Sequence, residues 1–296
     1  MKKVLLLYRA KPASKPKAIQ FAQNIDELIG NEVQIATAEI GELLFEVGTD
    51  FARITDPAQG LDVKDFDVVI IRHIGKLDAE AHAVAVYCRK HGVRFVDSYL
   101  DRIIDDKMSA AFEHWVVGAP LPRTLYGPAD ELAKHVADFG DRAILKDNRG
   151  HKGKLNFVVS SAEDVMRIAR ENPDIKFVLQ EFIGNDGDYR IVVLNYKPAL
   201  VIKRTAGQGS HLNNTSQGGS ATIVPLRDAD QRMLDMAVAV SRAEGLEVSG
   251  VDVIIDKDSG DFYILEVNHA PQISSGSFVE EKAVEYAKFV KELANG

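Results

Sequence analysis

Hydrophobic and polar positions along the first hundred residues follow two different periods. Lys3–Tyr8 is a short apolar run of the buried-strand type, and Ala18, Ile19, Ala22, Ile25, Leu28 and Ile29 then recur at helical spacing. Glu32–Thr37 alternates like a strand and Phe66–Ile71 is continuously apolar. Leu77–His91 carries a helical pattern that stops at Gly92, and Val93–Val96 is strand-like again. Strands alternating with helices predict a parallel sheet with helices packed on it. The turn after the first strand, Arg9-Ala-Lys-Pro, has no glycine fingerprint, which argues against a dinucleotide site and an NAD-dependent dehydrogenase.

Near residue 100 the pattern changes. A helix is predicted through Lys107 and Trp115 to Gly118, and the prolines of Ala119-Pro-Leu-Pro-Arg exclude a helix beyond it. The middle section predicts β-α-β-β-α-β, with Ala143–Lys146, Leu155–Val159 and Phe177–Phe182 as its clearest strands. From Asp188 a largely antiparallel set follows: Tyr189–Leu194, Ala199–Lys203, Ser249–Ile255 and Phe262–Val267. Helices are predicted at Asp230–Glu244 and Glu280–Leu293, and Thr205–Ser220 is a polar loop. The fold class is therefore α/β, with an α+β remainder, in three sections: 1–100, 101–183 and 184–296.

Composition narrows the function classes. The 296 residues give a formal net charge of −8, which argues against a general nucleic-acid binder while allowing a local basic pocket for a small phosphate. Cys88, the one cysteine, lies in a helical pattern and is expected to be a buried hydrophobe. The apolar run in MKKVLLLYRAKP is too short for a signal peptide, and no stretch approaches the roughly 20 apolar residues of a membrane span. A reducing, cytoplasmic setting is expected, with neither membrane nor nucleic acid as partner.

The most informative segment runs from Gly250 to Asn268 and predicts a β-hairpin of two apolar strands joined by a polar turn. Glu266 and Asn268 are two apart and share a face, and a turn centred near Ser259 puts Asp252 opposite Glu266 or one residue off. Two carboxylates and an amide suit Mg²⁺ or Mn²⁺, usually with phosphate oxygens completing the shell. The alternative is a pair of solvent-facing edge-strand carboxylates. Further upstream, Lys146 precedes a loop containing Gly150, His151, Lys152, Gly153 and Lys154, which could wrap a polyphosphate or be a solvated basic turn. Gln180-Glu181-Phe182-Ile183, at a strand end, could offer backbone groups and an apolar slot to a purine. Asp188, Arg190 and Arg204 put further charges on strands, for which surface ion pairs are the ordinary explanation.

The order of these signals carries more than any one of them. Asp106-Lys107, Leu121-Pro-Arg-Thr, Lys146 with its glycine loop, Gln180-Glu-Phe-Ile, Asp188-Tyr-Arg190, Lys203-Arg204, Gly218-Gly219, Gly250-Val-Asp252 and Leu265-Glu-Val-Asn268 together resemble the ATP-grasp superfamily. The series is most similar to the RimK-type carboxylate–amine ligases, which add amino acids such as glutamate to a carboxylate. The resemblance implies an ATP-grasp fold with an N-terminal parallel α/β domain, and amide formation through an acyl phosphate. It implies that Lys107 and Lys146 contact ATP phosphates under the Gly150–Gly153 loop. Gln180, Glu181, Phe182 and Ile183 would form the adenine site, with Asp188 at the ribose or its rim. Asp252, Glu266 and Asn268 would hold two Mg²⁺ ions. Arg190 and Arg204 would face the transferred phosphoryl group or substrate carboxylate, and Asn214 would help position that substrate. The partner would be a small-molecule amino acid or a peptide or protein carboxylate acceptor, and such ligases often form homo-oligomers, as dimers or tetramers. Departures from the family pattern are Lys154-Leu155-Asn156 after Gly153, His269-Ala-Pro-Gln after Asn268, and Leu212 where a basic residue is expected. Ligases of the D-alanine–D-alanine or glutathione synthase kind, and a non-catalytic nucleotide-binding module, are the competing readings.

Overall fold

A parallel strand covered on both faces must be apolar at successive positions, and Val4, Leu5, Leu6 and Leu7 are all buried. They lie in β1 (Lys2–Tyr8), followed by α1 (Lys15–Ile29), β2 (Val33–Glu39), β3 (Leu44–Val47), β4 (Ala52–Asp56), β5 (Leu61–Asp62), β6 (Val68–Arg72), α2 (Asp78–His91) and β7 (Arg94–Val96). The computed structural model describes residues 1–9, 15–30, 32–47, 52–72, 77–101, 106–150, 155–205 and 220–295. Strands β2-β1-β6-β7 form the expected parallel sheet. Alternate side chains divide between two cores. Val4, Leu6, Val68 and Ile70 face one cluster with α1; Leu5, Leu7, Val69 and Ile71 face another with α2 and Cys88. Strands β3-β4-β5 make a small antiparallel sheet that the sequence pattern did not reveal.

Next come α3 (Lys107–Val116), β8 (Thr124–Tyr126), α4 (Ala129–His135), β9 (Ala143–Asp147), β10 (Asn156–Val159), α5 (Ala162–Glu171) and β11 (Phe177–Glu181). The β-α-β-β-α-β order matches the expectation, and the strands pair antiparallel in the order β10-β9-β11-β8. Ala143, Leu145, Val159, Phe177 and Leu179 are buried against Leu132, Val136, Val165 and Ile168, so α4 and α5 cover one face. The other face is left for the site.

The remaining elements are β12 (Asp188–Leu194), β13 (Lys197–Thr205), β14 (Ser220–Val224), α6 (Gln231–Ala243), β15 (Val248–Ile255), β16 (Phe262–Asn268) and α7 (Val279–Asn295). Strands β14-β13-β12-β15-β16 form one antiparallel sheet. Ser220, placed in the polar loop by the sequence, is the first residue of β14. Ile191, Val193, Val201, Val251 and Val253 pack under Met233, Leu234, Ala237 and Val240 of α6. On the opposite face Val192, Leu194, Leu200 and Val248 join the cluster of β1 and α1 together with Tyr286, Val290 and Leu293 of α7. The N-terminal layer is also pinned by polar contacts. Ser98 donates from its N–H to Glu247 (2.8 Å) and from its hydroxyl to the same carboxylate (2.7 Å). Asp97 accepts from the Val248 N–H at 2.8 Å.

A cleft between two sheets

Each of the two larger antiparallel sheets has one face sealed by helices, and the polar side chains collect on the other. Strand pairing puts Lys146 of β9 beside Asn156 of β10 and Val178 of β11, with Gln180 and Thr124 paired one step along the same face. On the second sheet, Asp188 and Arg190 of β12 share a face with their register partners Arg204 of β13 and Asp252 of β15. Asp252 pairs directly with Glu266, and Gly250 with Asn268, as the hairpin reading expected, with an irregularity immediately after Asp252.

Lys146 is half-buried as a residue, with its ammonium the deeper part. Burial lowers its pKa to about 8; the charge of Glu266 works against that shift and the charge of Lys107 adds to it. The ammonium donates to Gln180 Oε1 at 2.8 Å. Glu266 on one sheet and Lys146 on the other thus sense each other across the cleft. Lys107 opens α3, whose first turn is capped by Asp106 accepting from the Ser109 N–H (2.9 Å). Its ammonium donates to the Gly150 carbonyl at 2.5 Å, and Asn148 accepts from the Met108 N–H at 3.0 Å. Gly150 is required by close approach, since a Cβ there would lie 2.8 Å from the Asp147 Cβ. Leu155 sits at φ 49°, a left-handed conformation that glycine adopts more readily. Gly153 and Asn214 lie outside the described residues.

At the end of β11, the Arg142 guanidinium stacks 3.8 Å above the Phe182 ring and Ile183 is buried. The Ile183 carbonyl accepts from Asn185 at 2.9 Å, while its N–H has no partner among the described residues. The Glu181 N–H donates to the Arg123 carbonyl at 2.9 Å.

The charged residues of the second sheet are tied to one another. Arg190 grips Asp252 through Nε (2.8 Å) and Nη2 (2.7 Å), and Arg204 grips Asp188 through Nε (2.6 Å) and Nη2 (2.8 Å). Arg204 Nη2 also lies 3.2 Å from Asp252 Oδ1. Burial would raise the Asp252 pKa, but the two arginines outweigh it and hold the carboxyl below its ordinary value. Burial pushes Asp188 up. Asp188 is therefore placed within an ionic ladder. Arg190 and Arg204 each keep Nη1 without a partner among the described residues.

Asn268 Nδ2 lies between the two carboxylates, 3.2 Å from Glu266 Oε1 and 3.4 Å from Asp252 Oδ2. A positive partial charge is needed at that point because two carboxylates otherwise repel. The donor set of two carboxylates and an amide suits a hard divalent cation. Glu266 is its available anion, since Asp252 already balances arginine charge. Among the described residues no group of three His, Cys, Asp or Glu side chains converges, so the amide is a necessary member of this set.

Sequence reasoning missed several residues. Thr124 accepts from Gln180 Nε2 at 2.8 Å. Asn156 Oδ1 is buried without a partner among the described residues, an acceptor beside Lys146; a polar residue at an inward strand position was its only signal. Arg72 reaches from β6 to the carbonyl of His269 (3.0 Å) and to Asp97 (3.3 Å), bracing the segment after Asn268. Lys282 of α7 donates to the carbonyls of Gln272 and Ser275 in that same segment.

A family model described as the RimK-like ATP-grasp domain matches residues 124–287, more than half of the chain and the part that builds both walls of the cleft. The chain belongs to the RimK-like ATP-grasp family. A probable α-L-glutamate ligase of Parasynechococcus marenigrum (strain WH8102) is 37% identical over 175 residues, covering 56% of this chain and 36% of that protein. One of the same description from Cellvibrio japonicus (strain Ueda107) is 29% identical over 224 residues, covering 73% of this chain and 67% of that protein. This chain thus matches little more than a third of the first relative's length. Among solved structures, the ATP-grasp ligase PsnB complexed with a minimal precursor, Mg and ADP superposes with a TM-score of 0.71 at 14% identity, over 98% of this chain and 97% of that one. That likeness shows that the ATP-grasp fold extends over the N-terminal layer as well. Among the described residues no helix is long and apolar enough to cross a membrane.

Proposed function

We propose that this RimK-like ATP-grasp protein is an ATP-dependent carboxylate–amine ligase. The observation that carries the reading is the opposition of Lys146 and the Glu266–Asn268 pair across one cleft, a cation facing an oxygen-rich pair. A polyphosphate between them meets charge complementary to its own on the Lys146 side. Glu266 and Asn268, with Asp252 behind them, would hold Mg²⁺ or Mn²⁺, which supplies charge neutralisation at the β- and γ-phosphates when bound.

Lys107 and Lys146 bind phosphate oxygens, and the Ile183 N–H, unpaired among the described residues, reads the purine edge with the Glu181–Phe182 backbone. The substrate carboxylate attacks the γ-phosphorus while the bond to the β–γ bridging oxygen breaks, giving an acyl phosphate and ADP. The amine then attacks the acyl carbon; phosphate leaves with the C–O electron pair, the nitrogen loses a proton, and an amide remains. Nη1 of Arg190 and Arg204 stabilises the oxygens that gain charge during phosphoryl transfer. No protein nucleophile is needed. The relatives described as probable α-L-glutamate ligases make glutamate the first amine to test, and the precursor-bound PsnB structure makes a peptide carboxylate the first acceptor.

ADP release measured with glutamate and carboxyl-terminal peptides tests the proposal: release that requires both substrates supports it, and none from well-folded, ATP-binding protein sinks it. Glu266→Gln is expected to abolish release while leaving the fold intact. The Asp252–arginine pairing favours one competing reading, a nucleotide-binding module without turnover. That reading predicts MgATP stabilisation of the fold with no ADP formed under any substrate pair.

A further inference from the structure

Lys146 is held by an amide whose own direction must be specified. A glutamine amide can present either its oxygen or its NH₂ group to a neighbour, and only the oxygen can accept from an ammonium. Gln180 is buried, 9% exposed, so the wrong direction would press an NH₂ group against the Lys146 charge where little solvent reaches.

We infer that Thr124 is a positioning residue that sets the direction of the Gln180 amide and so holds the Lys146 ammonium for the nucleotide phosphates. The inference rests on the nucleotide reading above and deepens it. The Thr124 hydroxyl donates its only proton to the Pro122 carbonyl at 2.9 Å. Towards Gln180 it therefore has only lone pairs, and the 2.8 Å contact there must be a bond donated by Gln180 Nε2. With nitrogen turned to Thr124, Oε1 is turned to Lys146 and accepts at 2.8 Å. The carbonyl of Pro122 cannot donate, so the chain Lys146–Gln180–Thr124–Pro122 has one direction along its length. The strand pairings Gln180↔Thr124 and Val178↔Lys146 keep all three side chains on the cleft face. No carboxylate lies within ion-pair distance of the Lys146 ammonium among the described residues, so the neutral amide leaves its full charge for a ligand.

The test measures binding of MgATP and of adenosine by calorimetry to the unsubstituted protein and to Thr124→Val, Thr124→Ser and Lys146→Met. Valine keeps the β-branched shape in a strand but cannot accept, so Thr124→Val is expected to weaken MgATP about tenfold, the scale of one charge-assisted hydrogen bond. Adenosine, which lacks phosphates, should bind as before. Thr124→Ser should restore MgATP affinity, and in the Lys146→Met background Thr124→Val should add nothing. Equal losses of adenosine and MgATP, no rescue by serine, or an undiminished effect without Lys146 each overturn the inference. Failure of the unsubstituted protein to bind MgATP overturns the nucleotide reading instead. The relay itself is then judged by solvent exchange of the Gln180 side-chain amide protons. Slow exchange in the unsubstituted protein and Thr124→Ser, lost in Thr124→Val, upholds it, and equal exchange in all three overturns it.

Discussion

On the β8–β11 wall of the cleft, Lys146 has a neutral amide for its partner; on the β12–β16 wall, Asp188, Arg204, Asp252 and Arg190 grip one another. Both walls carry buried charge, yet the lysine of the first is left uncompensated while these four charges of the second cancel within the ladder. A cation held by a dipole remains available to an incoming anion, whereas a carboxylate clasped by two guanidiniums has already lost most of its attraction for another cation. Burial alone therefore does not mark a ligand site. The chemistry of the partner decides.

Breaking the second wall should have the larger effect on the fold. Arg204→Met leaves Asp188 unpaired in a buried setting, and urea unfolding is expected to show a loss of about 3–5 kcal/mol. Adding Asp188→Leu to that variant should recover much of the loss, because the stranded carboxylate goes with its partner. If Arg204→Met unfolds like the unsubstituted protein, the ladder is not holding the sheet.

Breaking the first wall should affect binding instead. Lys146→Met is expected to weaken MgATP about a hundredfold while leaving the thermal midpoint of the unliganded protein unchanged or higher, since a buried cation has been removed. The same comparison has a pH form. The Lys146 ammonium, lowered to about 8 chiefly by burial, loses its proton as pH rises through that value. MgATP affinity should therefore fall above about pH 8 in the unsubstituted protein and show no such limb in Lys146→Met.

A further effect concerns Asp97, which braces the N-terminal layer. Burial raises its pKa from 3.8 to about 7, against the opposing pull of Arg72. A carboxyl with a raised folded-state pKa favours the fold below its unfolded value, and that contribution disappears as pH rises through about 7. The stability of Asp97→Asn should accordingly fall less between pH 4 and pH 7 than that of the unsubstituted protein. Parallel curves would remove Asp97 from the pH response.

Much of this arrangement was legible in the sequence because period and pairing are local. Glu266 and Asn268 two residues apart must share a face, and a turn near Ser259 brings Asp252 to Glu266; the register agrees. The central β-α-β-β-α-β order was equally plain. What escaped were features decided by distant partners. Ser220–Val224 is a short edge strand next to a polar loop, and its identity comes from pairing with β13. The role of Thr124 depends on a residue 56 positions away. Ion pairs among Asp188, Arg190 and Arg204 were the ordinary reading of these strand charges, but as surface pairs; the assembled sheet buries Asp188 and Arg204 and adds Asp252 to the set.

The burial of Val4 and Leu6 in one cluster with Tyr286, Val290 and Leu293 has a consequence for synthesis. The face of β1 that these residues form is covered first by α1 and completed by α7, a helix translated only after both walls of the cleft. While the chain is being made, the N-terminal layer therefore keeps part of that apolar face open through the appearance of every element before α7. Its completion and that of the cleft are a single late event, so a ribosome-stalled chain ending before Val279 should be held unfinished and attractive to chaperones.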